Sequence, residues 1–122
     1  MASASVLVVE DDPDLREGFV ALLEAKGLTA TWAPDGEEAL HLLRDRLVPT
    51  AILLDLTMPR MDGWRFRVRQ MRDPRLAGIP VIIVSGDWNA AEAGRILGAT
   101  AVVPKPLDID KLLAAIEQVC LH

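Results

Sequence analysis

The chain has 122 residues, 51% hydrophobic and 25% charged, which fits one compact domain and excludes a disordered segment. Its net charge of −5 repels phosphate polymers and anionic membranes, so neither direct nucleic-acid binding nor membrane association is expected. One cysteine, Cys120, excludes an internal disulfide, no apolar run approaches the ~20 residues that cross a bilayer, and the start lacks the pattern of a signal peptide; a cytoplasmic protein is expected.

Short apolar runs alternate with helix-period segments. The first run, residues 6–9, reads as a strand and is followed by Asp12-Pro13, a helix-opening pair. Leu15, Phe19, Leu22 and Leu23 then share one helical face that closes at Gly27. A second run covers 28–32, followed by Asp35 as a candidate N-cap, Glu38 three residues on, and Leu40, Leu43 and Leu47. The third run, 51–54, precedes a helical pattern that follows Asp62 and places Trp64, Val68 and Met71 together. The fourth run, 79–84, leads to a weak helix near 90–97, with only Ile96 and Leu97 as large apolar residues and Gly94 inside it. A mid-helix glycine costs about 1 kcal/mol relative to alanine, so this helix is expected to be the least firmly packed. After the run 101–103, Asp108 opens the clearest helix, with Ile109, Leu112, Leu113, Ile116, Val119 and Cys120 on its face.

A (βα)₅ alternation of this kind predicts a parallel sheet with right-handed crossovers and helices on both faces. Ligands of such sheets bind beyond the carboxyl ends of the strands, near the point where the strand order reverses. Those ends carry Glu10, Asp11 and Asp12 after the first strand, Asp55 after the third, Ser85 after the fourth and Lys105 after the fifth. Carboxylates at ~4 Å repel by about 4 kcal/mol per pair at an effective dielectric near 20, so a cation or protons must join them. Oxygen-only donors select a hard ion such as Mg²⁺, and a lysine with a hydroxyl complements phosphoryl oxygens. The chemistry that fits is phosphoryl transfer to a carboxylate nucleophile.

The segments Val8-Val9-Glu10-Asp11-Asp12, Leu53-Leu54-Asp55-Leu56-Thr57-Met58-Pro59-Arg60-Met61-Asp62-Gly63, Val84-Ser85-Gly86 and Pro104-Lys105-Pro106 resemble the receiver domain of two-component response regulators, in order and spacing, over about residues 5–120. The resemblance implies a single flavodoxin-like, doubly wound domain over 1–122 with strand order 2-1-3-4-5, and no output domain within this chain. It implies Asp55 as phosphoacceptor, Asp11 as direct Mg²⁺ ligand, Glu10 as a ligand through water, and the Thr57 backbone carbonyl as a further ligand. Lys105 would hold a phosphoryl oxygen, Ser85 would swing to hydrogen-bond it, and the Lys105–Pro106 bond would be cis. The phosphodonor would be a phosphohistidine on a sensor histidine kinase or phosphotransfer protein. The signal would pass through the fourth helix, fifth strand and fifth helix to a downstream effector or output domain. The domain would catalyse only its own phosphorylation and dephosphorylation. Asp12 reads as an N-cap, with a metal ligand as the alternative.

The chain departs from the family in three places. Val102 stands where receivers usually carry Tyr or Phe, three residues before the lysine; Ser85 to Gly98 is about two residues short; and Pro104 precedes Lys105-Pro106. Readout is therefore assigned to the loop 86–89 and the fourth helix, with Trp88 as the reporter or, alternatively, a ring covering the helix start. A haloacid-dehalogenase-type phosphatase would need an Asp where Thr57 stands, a flavin carrier would not put Glu10-Asp11-Asp12-Pro13 against phosphate, and a degenerate docking-only receiver would not keep the acidic set. Arg60, Arg65, Arg67, Arg69, Arg72 and Arg75 crowd one region facing only Asp62 and Asp73. They read as a solvated helix face, with a partner-docking surface as the alternative. His41 and His122 lie away from the strand ends and are expected to be exposed.

Overall fold

The computed structural model describes residues 4–58 and 60–120. In chain order the elements are β1 (Ser5–Val9), α1 (Pro13–Ala25), β2 (Thr29–Ala33), α2 (Gly36–Arg44), β3 (Ala51–Asp55), α3 (Gly63–Arg72), β4 (Val81–Ser85), α4 (Ala90–Ile96), β5 (Ala101–Pro104) and α5 (Ile109–Cys120). The strands form one parallel sheet in the order β2-β1-β3-β4-β5. The order reverses between β1 and β3, and the register sets Val9 beside Leu54, Asp55 beside Val84 and Ser85 beside Pro104. Four strands therefore deliver their carboxyl ends to one edge.

The near-continuous apolar runs are explained by burial on both faces. Along β1, Leu7 and Val9 enter one core with Ile52, Leu54, Ile83 and Phe66, while Val6 and Val8 enter the other with Leu53, Val84, Leu112 and Ile116. At the sheet edge, β2 is not covered in this way: Trp32 is exposed and carries the Arg16 guanidinium 3.9 Å from its ring centroid. Asp12 caps α1 by accepting from the Asp14 and Leu15 N–H groups, with Pro13 in the first turn. Gly27, at φ 81°, then reverses the chain in the left-handed region. Among the described residues no helix is long and apolar enough to cross a membrane.

Two expectations about the helices are corrected. The face of α3 that meets the core is Gly63, Phe66, Arg67 and Gln70, while Val68 and Met71 are exposed. The reason lies in the loops beneath. Arg67 Nε donates to the Leu97 carbonyl (2.8 Å), Nη2 to the Gly98 carbonyl (3.1 Å) and Nη1 to Gln70 Oε1 (2.8 Å). The Gln70 amide donates in turn to the carbonyls of Leu76 (3.0 Å) and Ile79 (3.1 Å). Buried carbonyls need donors, so polar side chains win this face over Val68 and Met71. Arg67 is thus no part of a solvated face, and burial lowers the pKa of its guanidinium.

The second correction concerns α4, which is loose at one end only. Asn89, at its N-cap, makes no side-chain capping bond, and Ile96 is exposed. Yet Ala90, Ala93 and Gly94 are buried, Leu97 sits in the core, and Arg67 holds the carbonyls at the helix end. Gly94 is a close-approach residue: a Cβ there would land on the Val102 side chain. His41 is exposed as expected, whereas His122 lies outside the described residues.

Candidate functional site

Glu10 follows β1 and is buried, although it is charged in water. Its N–H donates to the Ala33 carbonyl (3.1 Å) and its carbonyl accepts from Arg16 Nη1 (3.4 Å), so its backbone is fixed from both sides. Oε2 accepts from the Asp12 N–H (3.3 Å), and Asp11 between them is exposed. Asp55 ends β3, 6% exposed, with Oδ1 accepting from the Thr57 N–H at 3.3 Å. Thr57 itself is exposed. Directly behind, Gly63 donates to the Leu56 carbonyl (3.0 Å). A Cβ on Gly63 would strike the Asp55 carbonyl and reach Leu56 Cα at 2.7 Å, so only glycine lets the start of α3 close on this turn.

These residues converge. Carboxylate oxygens of Glu10, Asp11 and Asp55 all lie within 4.8 Å of one another. Lys105 Nζ sits 3.5 Å from Glu10 Oε1 and 3.5 Å from Asp55 Oδ2. The Lys105–Pro106 bond is cis, and the Lys105 N–H donates to the Ser85 carbonyl at 2.8 Å. Burial, then the charge of Asp55, raise the Glu10 pKa to about 7, against the lowering pull of the Asp12 N–H and Lys105. Glu10 Oε1 is buried and has no hydrogen-bond partner, with Lys105 only at ion-pair distance. An orphaned carboxylate oxygen beside two more carboxylates, with no His or Cys, is a donor set that fits a hard divalent cation.

The remaining positions singled out in the sequence lie on β4, in the loop after it and on β5. Ser85 is buried on the next strand, and its Oγ accepts from the Asp87 N–H (3.1 Å) within its own turn. Trp88 is 95% exposed, so it does not cover the start of α4. Val102 packs from β5 against the core and Gly94.

Two supporting contacts were missed by sequence reasoning. Arg16 spans the Glu10 carbonyl and the Trp32 ring, which no motif announces. Arg60, with a left-handed φ of 62°, places Nε 3.2 Å from the buried Asp35 carboxylate, while the Gly36 N–H donates to the Met61 carbonyl (3.0 Å). Together they tie the loop after Asp55 to the start of α2. Asp35 was legible only as the N-cap it also is, accepting from the Glu38 N–H (3.0 Å).

Comparison with known proteins accords with this arrangement. The family model described as the response regulator receiver domain matches residues 6–117. The "Uncharacterized 14.6 kDa protein in sodA1 3'region" of Leptolyngbya boryana is 34% identical, over 99% of this chain and 93% of its own length. Response regulator MprA of Mycobacterium ulcerans is 37% identical over 92% of this chain, which spans only 48% of that protein. The crystal structure of a response regulator receiver protein from Pseudomonas putida superposes with a TM-score of 0.88 at 30% identity, covering 97% of this chain and 98% of that one. With five parallel strands in the order 2-1-3-4-5 and an acidic cluster at their carboxyl edge, the chain belongs to the response regulator receiver domain family.

Proposed function

We propose that this receiver domain accepts a phosphoryl group on Asp55 from a phosphohistidine of a sensor histidine kinase or phosphotransfer protein. The observation that carries the proposal is the position of the Asp55 carboxylate, 3.5 Å from Lys105 Nζ and clustered with Glu10 and Asp11 at the reversal point of the sheet. In the transfer, an Asp55 oxygen forms the new O–P bond as the P–N bond to the donor imidazole breaks, and the released ring takes up a proton. Lys105, fixed through its backbone to β4, neutralises charge on the phosphoryl oxygens. Asp11 and Asp55 would hold Mg²⁺ directly, Glu10 through water and Thr57 through its carbonyl. The ion would relieve the carboxylate repulsion and spread the charge of the transferring oxygens. Arg16, by holding the Glu10 carbonyl, would keep that cluster positioned for the ion.

Ser85 is the switch in this reading. Its hydroxyl gives up the Asp87 N–H to reach a phosphoryl oxygen, which frees the loop that carries Trp88 at the uncapped end of α4. Residues 1–122 are read as one receiver domain that passes this change to an effector or output domain.

The test is intact mass after incubation with acetyl phosphate. One phosphoryl adduct is expected, dependent on Mg²⁺ and missing from Asp55→Asn. The same adduct in that variant would falsify the assignment.

A further inference from the structure

Residues 60–75 hold six of the 13 cationic side chains in a chain whose net charge is −5. Three of the six are accounted for: Arg67 is buried on carbonyls, Arg60 pairs with Asp35, and Arg75 pairs with Asp73. Among the described residues, Arg65, Arg69 and Arg72 pair with no carboxylate. They stand at i, i+4 and i+7 on α3, a straight basic stripe. One position along runs a second stripe, Trp64, Val68 and Met71, with Val68 42% and Met71 51% exposed.

That apolar stripe faces a groove. Val68 and Met71 line about 280 Å³ together with Arg67, Arg72, Ile96 at the end of α4 and Leu97 that caps it, and Ile96 is 65% exposed. The groove adjoins a second of about 350 Å³ lined by Trp64, Arg65, Val68, Arg69 and Arg72. Burying Val68, Met71 or Ile96 would suit the protein better than hydrating them, yet the core face of α3 is taken by Phe66, Arg67 and Gln70.

We infer that the outer face of α3, with its border on α4, is a docking surface for an acidic amphipathic helix of a partner protein. The charge pattern chooses the occupant. An apolar stripe flanked on one side by unpaired arginines matches a helix with apolar residues at i, i+4 and i+7 and carboxylates beside them. Arginine forks bind carboxylates in pairs of parallel hydrogen bonds and are enriched at protein interfaces. At 1.5 Å per residue the ten residues of α3 span about 15 Å, room for about three turns of a partner helix. Nucleic acid fits less well, because it would leave the apolar stripe uncovered and meet a chain of net charge −5. No residue of the acidic cluster takes part, so the inference stands apart from the phosphoacceptor reading.

The test uses a fluorescein-labelled 15-residue designed peptide, leucines on one helical face and glutamates beside them, titrated with the full chain by fluorescence anisotropy. Saturable binding is expected, weakened about tenfold or more by Val68→Asp and by the pair Arg69→Glu, Arg72→Glu, and weakened by salt. A peptide with lysines for glutamates should bind the arginine-reversed pair better than the natural chain. All three substituted positions are exposed, and thermal melts confirm that each variant folds. Equal binding of a scrambled peptide, or unchanged affinity in the variants, overturns the inference. Tighter binding of a single-stranded oligonucleotide overturns it in favour of nucleic acid. Self-association abolished by the same variants overturns it in favour of a second copy.

Discussion

Glu10 is a carboxylate that burial makes hard to ionise, and this has a measurable consequence at the scale of one residue. Its pKa in the folded, metal-free protein is raised to about 7, first by desolvation and then by Asp55. A carboxyl raised in this way favours the folded state fully below its unfolded pKa of about 4.3, and that contribution is lost as pH rises through the folded value. The metal-free protein should therefore lose stability between about pH 4.3 and about pH 7 on account of this side chain. Glu10→Gln stays neutral throughout, so its melting temperature in EDTA should gain on that of the natural chain as pH rises. A constant offset between the two curves would show that Glu10 does not titrate in this window. The same orphaned Oε1 that makes ionisation costly makes the residue receptive to a cation.

At the scale of elements, Gly94 and Val102 form a matched pair. Alanine is the better helix former by about 1 kcal/mol, and propensity alone says Gly94→Ala stabilises α4. The contact with Val102 says the opposite, because a methyl at Gly94 would have to displace the Val102 side chain or lift α4 from β5. Overpacking of this kind costs about 1–3 kcal/mol, so Gly94→Ala is expected to destabilise. The same substitution in a Val102→Ala background should become neutral or stabilising, and a double-mutant cycle by denaturant unfolding measures the coupling. Additive effects would show that the two side chains do not compete. This pairing marks the limit of what the sequence disclosed. The strands, their order and the acids at their ends were legible, because each lies in a short contiguous motif and the family resemblance supplies the topology. The core face of α3 was not, because Arg67 answers carbonyls at Leu97 and Gly98, about thirty residues away. Apolar spacing pointed to Trp64, Val68 and Met71; Trp64 does pack against the core, but hydrogen-bond demand overruled Val68 and Met71. Gly94 looked like a helix weakness for the same reason: its partner lies on another strand.

Across the whole molecule, the two faces of the domain are tied to the acidic edge with unequal firmness, and this decides how a change at Asp55 would travel. On the β2 side, Arg16, Asp35 and Arg60 pin the loops after β1 and β3. At the other side, the end of α4 is held by Arg67. Between these anchors lies the turn Ser85–Asp87, kept by one side-chain hydrogen bond, and then Trp88 and the uncapped start of α4. With Val102 in place of an aromatic and packed on Gly94, no ring is available on β5 to follow Ser85 inward. In the proposed switch the loop itself would carry the movement, since elements with few buried contacts rearrange at least cost. Trp88, at 95% exposure, starts in water and can only become more enclosed. In a variant with Trp32→Phe and Trp64→Phe, beryllofluoride at saturating Mg²⁺ should shift Trp88 emission to the blue. Replacing Ser85 by Ala should abolish the shift while Asp55 still binds the mimic. A flat signal in the Ser85-containing protein, with occupancy of Asp55 shown independently by mass or NMR, would remove Trp88 from the relay and leave β5 and α5 to carry it.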